Sequence, residues 1–281
     1  MKVSWKITVI TVVLNNKTCI KDCIESISSQ TFGDIEHIVI DGGSTDKTLD
    51  IAKEYGCRII NGGYKDNQEA RRYIGYKNAK NEILVYIDSD NYLPDINWLR
   101  DMVLPFIEDS SIVASQTLRY GYSKKHSLMN RYFALFGFND PVVFALGKTD
   151  RLAWFNKNWN LLGKVAENNE KYYVIEFKAD ALPTIGCNGF LVRKKYFDEV
   201  CKDAEQFFHT DVNYDIIKNG HNRYAIVKND IYHVTSETFF RSMLKRIKYM
   251  NVHHNKMAEN RRYKVFDSSN RKDVIKLLGG S

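Results

Sequence analysis

The sequence predicts an α/β fold built on a mostly parallel sheet flanked by helices. Three observations predict it. Short apolar, β-branched runs recur along the chain, the segments between them carry helical spacing, and the runs stop at Asn or Asp. Ile7 to Leu14 is the first run, and it stops at Asn15-Asn16. Ile20, Cys23, Ile24 and Ile27 then follow i, i+3, i+4, i+7 spacing, so a helix packs its apolar face here, with Cys19 and Cys23 expected in the core. Ile35 to Ile40 is the second strand and stops at Asp41-Gly42-Gly43-Ser44. Ser44 is the expected N-cap of a helix through Leu49, Ala52 and Tyr55, with Gly56 past its end. Arg58-Ile59-Ile60 is a third short strand. Ile83 to Ile87 reads as a buried strand that runs into Asp88-Ser89-Asp90. Strand and helix alternating in this order imply right-handed βαβ units.

In such sheets ligands bind outside the carboxyl ends of the strands. Asn15, Asp41, Asp88 and Asp90 should therefore face one crevice. Residues two apart on an extended chain project to the same side, so Asp88 and Asp90 emerge together. Two adjacent carboxylates raise each other's pKa, and a hard divalent cation resolves the conflict. An Asp-rich turn, with Asn91 and Pro94, is the other reading of the same residues.

The chain has 281 residues and is 44% hydrophobic, enough for a sizeable core. Five cysteines without a CxxC pair do not make a disulfide framework, and a reducing, cytoplasmic setting is expected. Residues 1–6 lead straight into the first strand, which reads as no signal peptide. Phe133 to Leu146 is interrupted by Asn139-Asp140-Pro141, so no membrane span is expected. The net charge is +7. Basic residues crowd positions 241–264, and Phe239 to Met250 separates an apolar face from Arg241, Lys245, Arg246 and Lys248. This reads either as a helix at the inner face of an anionic membrane or as an ordinary surface helix. No nucleic-acid-binding motif accompanies it, so no nucleic-acid partner is expected.

Thr11 to Asn16, Ser28-Ser29-Gln30-Thr31-Phe32, Asp41-Gly42-Gly43-Ser44-Thr45-Asp46 and Asp88-Ser89-Asp90, in this order, resemble family 2 glycosyltransferases over residues 5–235. The resemblance implies a GT-A fold, a Rossmann-like domain with a mostly parallel mixed sheet. Here it would occupy residues 1–235, with a nucleotide-sugar half at 1–115 and an acceptor half at 116–235. The acceptor half carries an aromatic-rich insertion, and 236–281 would be the basic helical extension.

The resemblance also implies roles. Asp41 would accept a hydrogen bond from the base, and Arg72 would stand near the nucleotide, with the neighbouring Arg71 an alternative register. Val12, Asn15 and Ser89 would line the donor site. Asp88 would lie near ribose and metal, and Asp90 would be the principal metal ligand, with His233 a further one; manganese or magnesium both suit these donors. Asn188, in Gly186-Cys187-Asn188-Gly189, would meet the transferred sugar. Asp211 would be the catalytic base, with Asp215 its rival one turn along. The implied reaction is inverting transfer from a nucleotide-diphosphate sugar, expected to be a UDP-sugar, to a hydroxyl of a glycan or lipid-linked acceptor. A nucleotidyltransferase is the first alternative, but Asn15-Asn16-Lys17 lacks the glycine-rich basic loop it needs. A non-catalytic nucleotide-sugar or glycan-binding protein is the second, and Asp88, Asp90 and Asp211 together argue against it.

Overall fold

The computed structural model describes residues 5–235 and 261–266, together with positions 238, 244, 247, 274 and 275. The strands are β1 (Lys6–Val13), β2 (Asp34–Asp41), β3 (Arg58–Asn61), β4 (Ile83–Tyr86), β5 (Asn91–Tyr92), β6 (Ala114–Tyr120), β7 (Lys164–Asn168), β8 (Tyr172–Glu176), β9 (Phe190–Arg193) and β10 (Arg223–His233). The helices are α1 (Ile20–Ser28), α2 (Thr48–Glu54), α3 (Gln68–Asn78), α4 (Trp98–Glu108), α5 (Leu128–Phe136), α6 (Pro141–Ala145), α7 (Lys194–Val200) and α8 (His209–Lys218).

One mixed sheet runs in the order β3-β2-β1-β4-β9-β6-β10-β8-β7, with β5 paired to β10. The first four strands are parallel, as the alternation of strand and helix requires. Val13 is level with Asp41 in that ladder, so the two strand ends open at the same height. β9 then inserts antiparallel between β4 and β6. Hydrophobic clusters line both faces of the sheet, which is why β1 and β4 read as continuous apolar runs rather than alternating ones. α3 lies against β1 at Gly75, where a Cβ would stand 2.3 Å from Ile10 Cγ2. That close approach fixes the start of α3, and its charged residues, over the strand ends.

Two local expectations are corrected. Ser44 does not cap α2; its hydroxyl accepts from the Asn15 N–H at 3.0 Å, and the helix begins later, at Thr48. Cys23 is in the core, but Cys19 is half-buried at the start of α1, its thiol directed to the Asn16 carbonyl. The aromatic stretch is divided: Tyr120, Phe133 and Phe138 are buried, whereas Tyr132, Phe144, Trp154 and Phe155 are exposed. Among the described residues no helix is long and apolar enough to cross a membrane. The segment Phe239 to Met250 lies outside the described residues except for Leu244 and Ile247, which are exposed.

Candidate active site

The carboxyl ends of β1 and β2 are joined by side chains. Asn15 takes a left-handed conformation (φ 56°), which asparagine tolerates, and its Oδ1 accepts from the Thr45 N–H at 2.8 Å. Asp41 accepts from the backbone N–H groups of Gly43 and Ser44 at 2.9–3.0 Å, so it caps the turn that follows it. The guanidinium of Arg71 lies beneath this turn: a Cβ at Gly42 would fall 2.6 Å from its Nη1. Arg71 donates to the carbonyls of Tyr64 and Lys65. Val12 is buried in β1, one position before the ladder's end.

Arg72, expected near the nucleotide, is held by two carboxylates. It is buried, and it donates to both Asp88 oxygens at 2.7–2.8 Å and to Glu69. Arg71 and Arg72, neighbours on α3, thus project to different places: Arg71 to the Gly42 turn and Arg72 to Asp88. Ser89 is buried between the two aspartates.

Asp90 and His233 do meet. The short pairing of β5 with β10 sets His233 opposite Asn91, and the Val234 N–H donates to the Asp90 carbonyl at 2.9 Å. His233 Nε2 lies 3.6 Å from Asp90 Oδ1, and about a quarter of the Asp90 side chain is exposed. A carboxylate oxygen and an imidazole nitrogen at this spacing fit a divalent cation whose remaining ligands are diphosphate oxygens and water. Among the described residues no group of three His, Cys, Asp or Glu side chains is arranged to hold an ion.

The loop 186–189 brings the second half to the same strand end. The Gly189 N–H donates to the Tyr86 carbonyl at 2.8 Å, which sets Asn188 beside the start of the Asp88 turn. Asn188 is left-handed (φ 55°), its carbonyl held by Arg151 at 2.7 Å, and its buried Oδ1 has no hydrogen-bond partner. A non-glycine residue in this conformation beside a cleft is a functional signal. The loop packs directly on α8, since a Cβ at Gly186 would be 2.6 Å from Asn213 Nδ2 and 3.1 Å from His209 Cβ.

His209, at the first turn of α8, was not singled out by the sequence. Its Nδ1 lies 3.1 Å from both oxygens of Glu69, its backbone N–H donates to Glu69 at 3.0 Å, and its Nε2 is 3.9 Å from Cys187 Sγ. Burial lowers its pKa, but the Glu69 carboxylate outweighs this and lifts it to about 10.

Asp211, expected as the base, pairs with a segment from the C-terminal part of the chain. Its side chain is 1% exposed. One oxygen or the other accepts from Arg261 Nε and Nη2 at 2.9–3.0 Å and from the Arg262 N–H at 3.0 Å. Arg261 also stacks 3.7 Å from the Phe208 ring, and Tyr263 donates its hydroxyl to the Leu182 carbonyl at 2.6 Å. Asp215 is paired with Arg262. Both carboxylates of α8 thus hold the segment 261–266.

The carboxyl ends of β1, β2 and β4 carry Asn15, Asp41 and Asp88 to Asp90, and β10 brings His233 to them. The family described as Glycosyl transferase family 2 matches residues 8–200, and the chain belongs to that family. The chain is 26% identical over 208 residues to the glycosyltransferase GlyA of Streptococcus pneumoniae, covering 63% of this chain and 29% of that protein. It is 35% identical over 97 residues to the putative glycosyltransferase EpsH of Bacillus subtilis, covering 32% of this chain and 27% of that one. The chain thus spans under a third of the length of these relatives. Among solved structures, a mannosyltransferase of Pyrobaculum calidifontis in complex with GDP-Man and Mn2+ superposes with a TM-score of 0.57 at 12% identity, over 98% of this chain and 70% of that one. Glucosyl-3-phosphoglycerate synthase of Mycobacterium tuberculosis, with Mn2+ and UDP-glucose, gives 0.53 at 16% identity, over 94% and 81%. The shared fold is GT-A.

Proposed function

We propose that this enzyme transfers a sugar from a nucleotide-diphosphate donor laid across the β1–β2–β4 edge to a hydroxyl of a glycan or lipid-linked acceptor. The observation that carries the reading is the meeting of Asp90 with His233 at the end of the crevice that begins at Asn15 and Asp41. The base and ribose would lie over the Asp41 turn and Arg71. The diphosphate would reach Asp90 and His233, which would hold manganese or magnesium; that cation supplies charge neutralisation to the leaving group. Asn188 Oδ1, buried and without a partner, would accept from a hydroxyl of the transferred sugar. Relatives in complex with UDP-glucose or GDP-mannose and Mn2+ support this donor class.

Thermal shift with uridine, guanosine and thymidine diphosphate sugars, with and without Mn2+, tests the reading. A donor at about 100 times its Kd should add about 2.7 kcal/mol of stability, in the presence of the cation. No shift with any of them would remove the donor assignment.

A further inference from the structure

We propose that Glu69 is a positioning residue of this active site, a single buried carboxylate that fixes Arg72 on the donor side and His209 on the acceptor side. The proposal rests on the donor reading given above. Glu69 is fully buried, yet it sits between two cationic side chains from different halves of the chain. Through Arg72 it reaches Asp88, two positions from Asp90. Through Nδ1 and the backbone N–H of His209 it reaches the first turn of α8 and the Cys187-Asn188 loop. The four side chains alternate in sign: Asp88, Arg72, Glu69, His209. The Glu69 carboxylate raises the pKa of His209 against the effect of burial.

A buried chain of this kind contributes little net stability, because desolvation offsets the attraction, and an apolar replacement is often neutral. What it supplies is geometry. Arg72 Nη2 donates to both oxygens of Asp88, which orients the turn that carries Asp90. Glu69 aims the His209 ring so that Nε2 faces the Cys187-Asn188 side of the site. One carboxylate sets both directions, so donor and acceptor sides cannot shift independently.

The test combines kinetics with imidazole NMR of the full chain. Glu69→Gln should lower kcat by about 10–100-fold, the scale for losing an orienting partner behind a functional group, and should also raise the donor KM. His209→Gln should lower kcat while leaving the donor KM at the wild-type value. The double variant should lose no more in kcat than the worse single variant. In the wild type, the His209 Nδ1–H resonance, assigned by its loss in His209→Gln, should be strongly deshielded and should move when UDP and Mn2+ are added. Wild-type kcat and KM in a folded Glu69→Gln, or full multiplication of the two kcat losses, overturns the proposal. If Glu69→Gln does not fold, a His209 resonance that ignores UDP and Mn2+ overturns it instead. Failure of wild type to bind any nucleotide sugar overturns the donor reading and this proposal with it; wild type that binds beside an unchanged Glu69→Gln overturns this proposal alone.

Discussion

Asp90 and Asp211 are both aspartates that the sequence marks as chemical, and they stand in opposite circumstances. Asp90 keeps about a quarter of its side chain in solvent, with His233 3.6 Å away. Asp211 is closed off, with an arginine fork and backbone N–H groups on its oxygens. The difference lies in what each neighbour donates. A group that is to bind a cation or take a proton needs an open lone pair. A carboxylate whose lone pairs are all directed at fixed donors holds chain segments together. Residue type and motif position are alike in the two cases, so only the inventory of partners separates them.

The sharpest way to break the comparison is Asp211→Asn. It should leave the buried guanidinium of Arg261 without its counter-charge, at a cost of about 3–5 kcal/mol, read as a Tm lower by roughly 6–20 °C. The rate per folded molecule should change little. A variant with wild-type Tm and kcat lower by about 10²–10⁴-fold, the range for losing a general base, would return Asp211 to the catalytic role and show that residues 261–263 leave it during turnover.

Asp90→Asn is the mirror case. Transfer should fall about 100-fold, or about 2.7 kcal/mol of transition-state stabilisation, while the Tm in the absence of ligand stays at the wild-type value. The Mn2+-dependent part of the donor-induced thermal shift should vanish. Full activity with retained Mn2+ dependence would remove Asp90 and His233 from the cation site.

The same contrast explains how far the sequence could be read. The parallel edge β3-β2-β1-β4 was legible because strand, turn and helix signals are local, and the turn residues Asn15, Asp41 and Asp90 lie at strand ends. His233 was reachable through resemblance, and β10 delivers it to Asp90. Arg71 and Arg72 show the limit: neighbours on a helix point about 100° apart, and no local signal says which faces the turn. Glu69 and His209 are 140 positions apart, so their pairing depends on the first turns of α3 and α8 being brought together by the rest of the fold. A charged residue inside an otherwise helical stretch, beside Ala70 and before Gly75, was the one available hint that Glu69 is buried. The pairing of Asp211 with Arg261 was not legible, because Arg261 comes from a distant segment that nothing near Asp211 announces.

The smallest effect concerns the donor side alone. His37 on β2 shares a hydrogen bond with Thr11 Oγ1 at 3.0 Å, and burial lowers its pKa to about 4. Its ordinary value is about 6.5. Between those two values the unfolded chain binds a proton that the folded chain does not, so this contribution to stability is complete above about pH 6.5 and declines as the pH falls towards about 4. From about pH 7 to about pH 5.5 the loss should be about 1 kcal/mol. His37→Gln keeps a hydrogen-bonding group for Thr11 and removes the titration, so its urea midpoint should vary less with pH over that window than that of the wild type. Hydrogen exchange locates the effect: amides of β1 and β2 should open faster at the lower pH, while those of α8, fastened by Arg261 and Arg262, should not. Equal acceleration in both regions, or the same pH dependence in His37→Gln, would show that the acid sensitivity arises elsewhere.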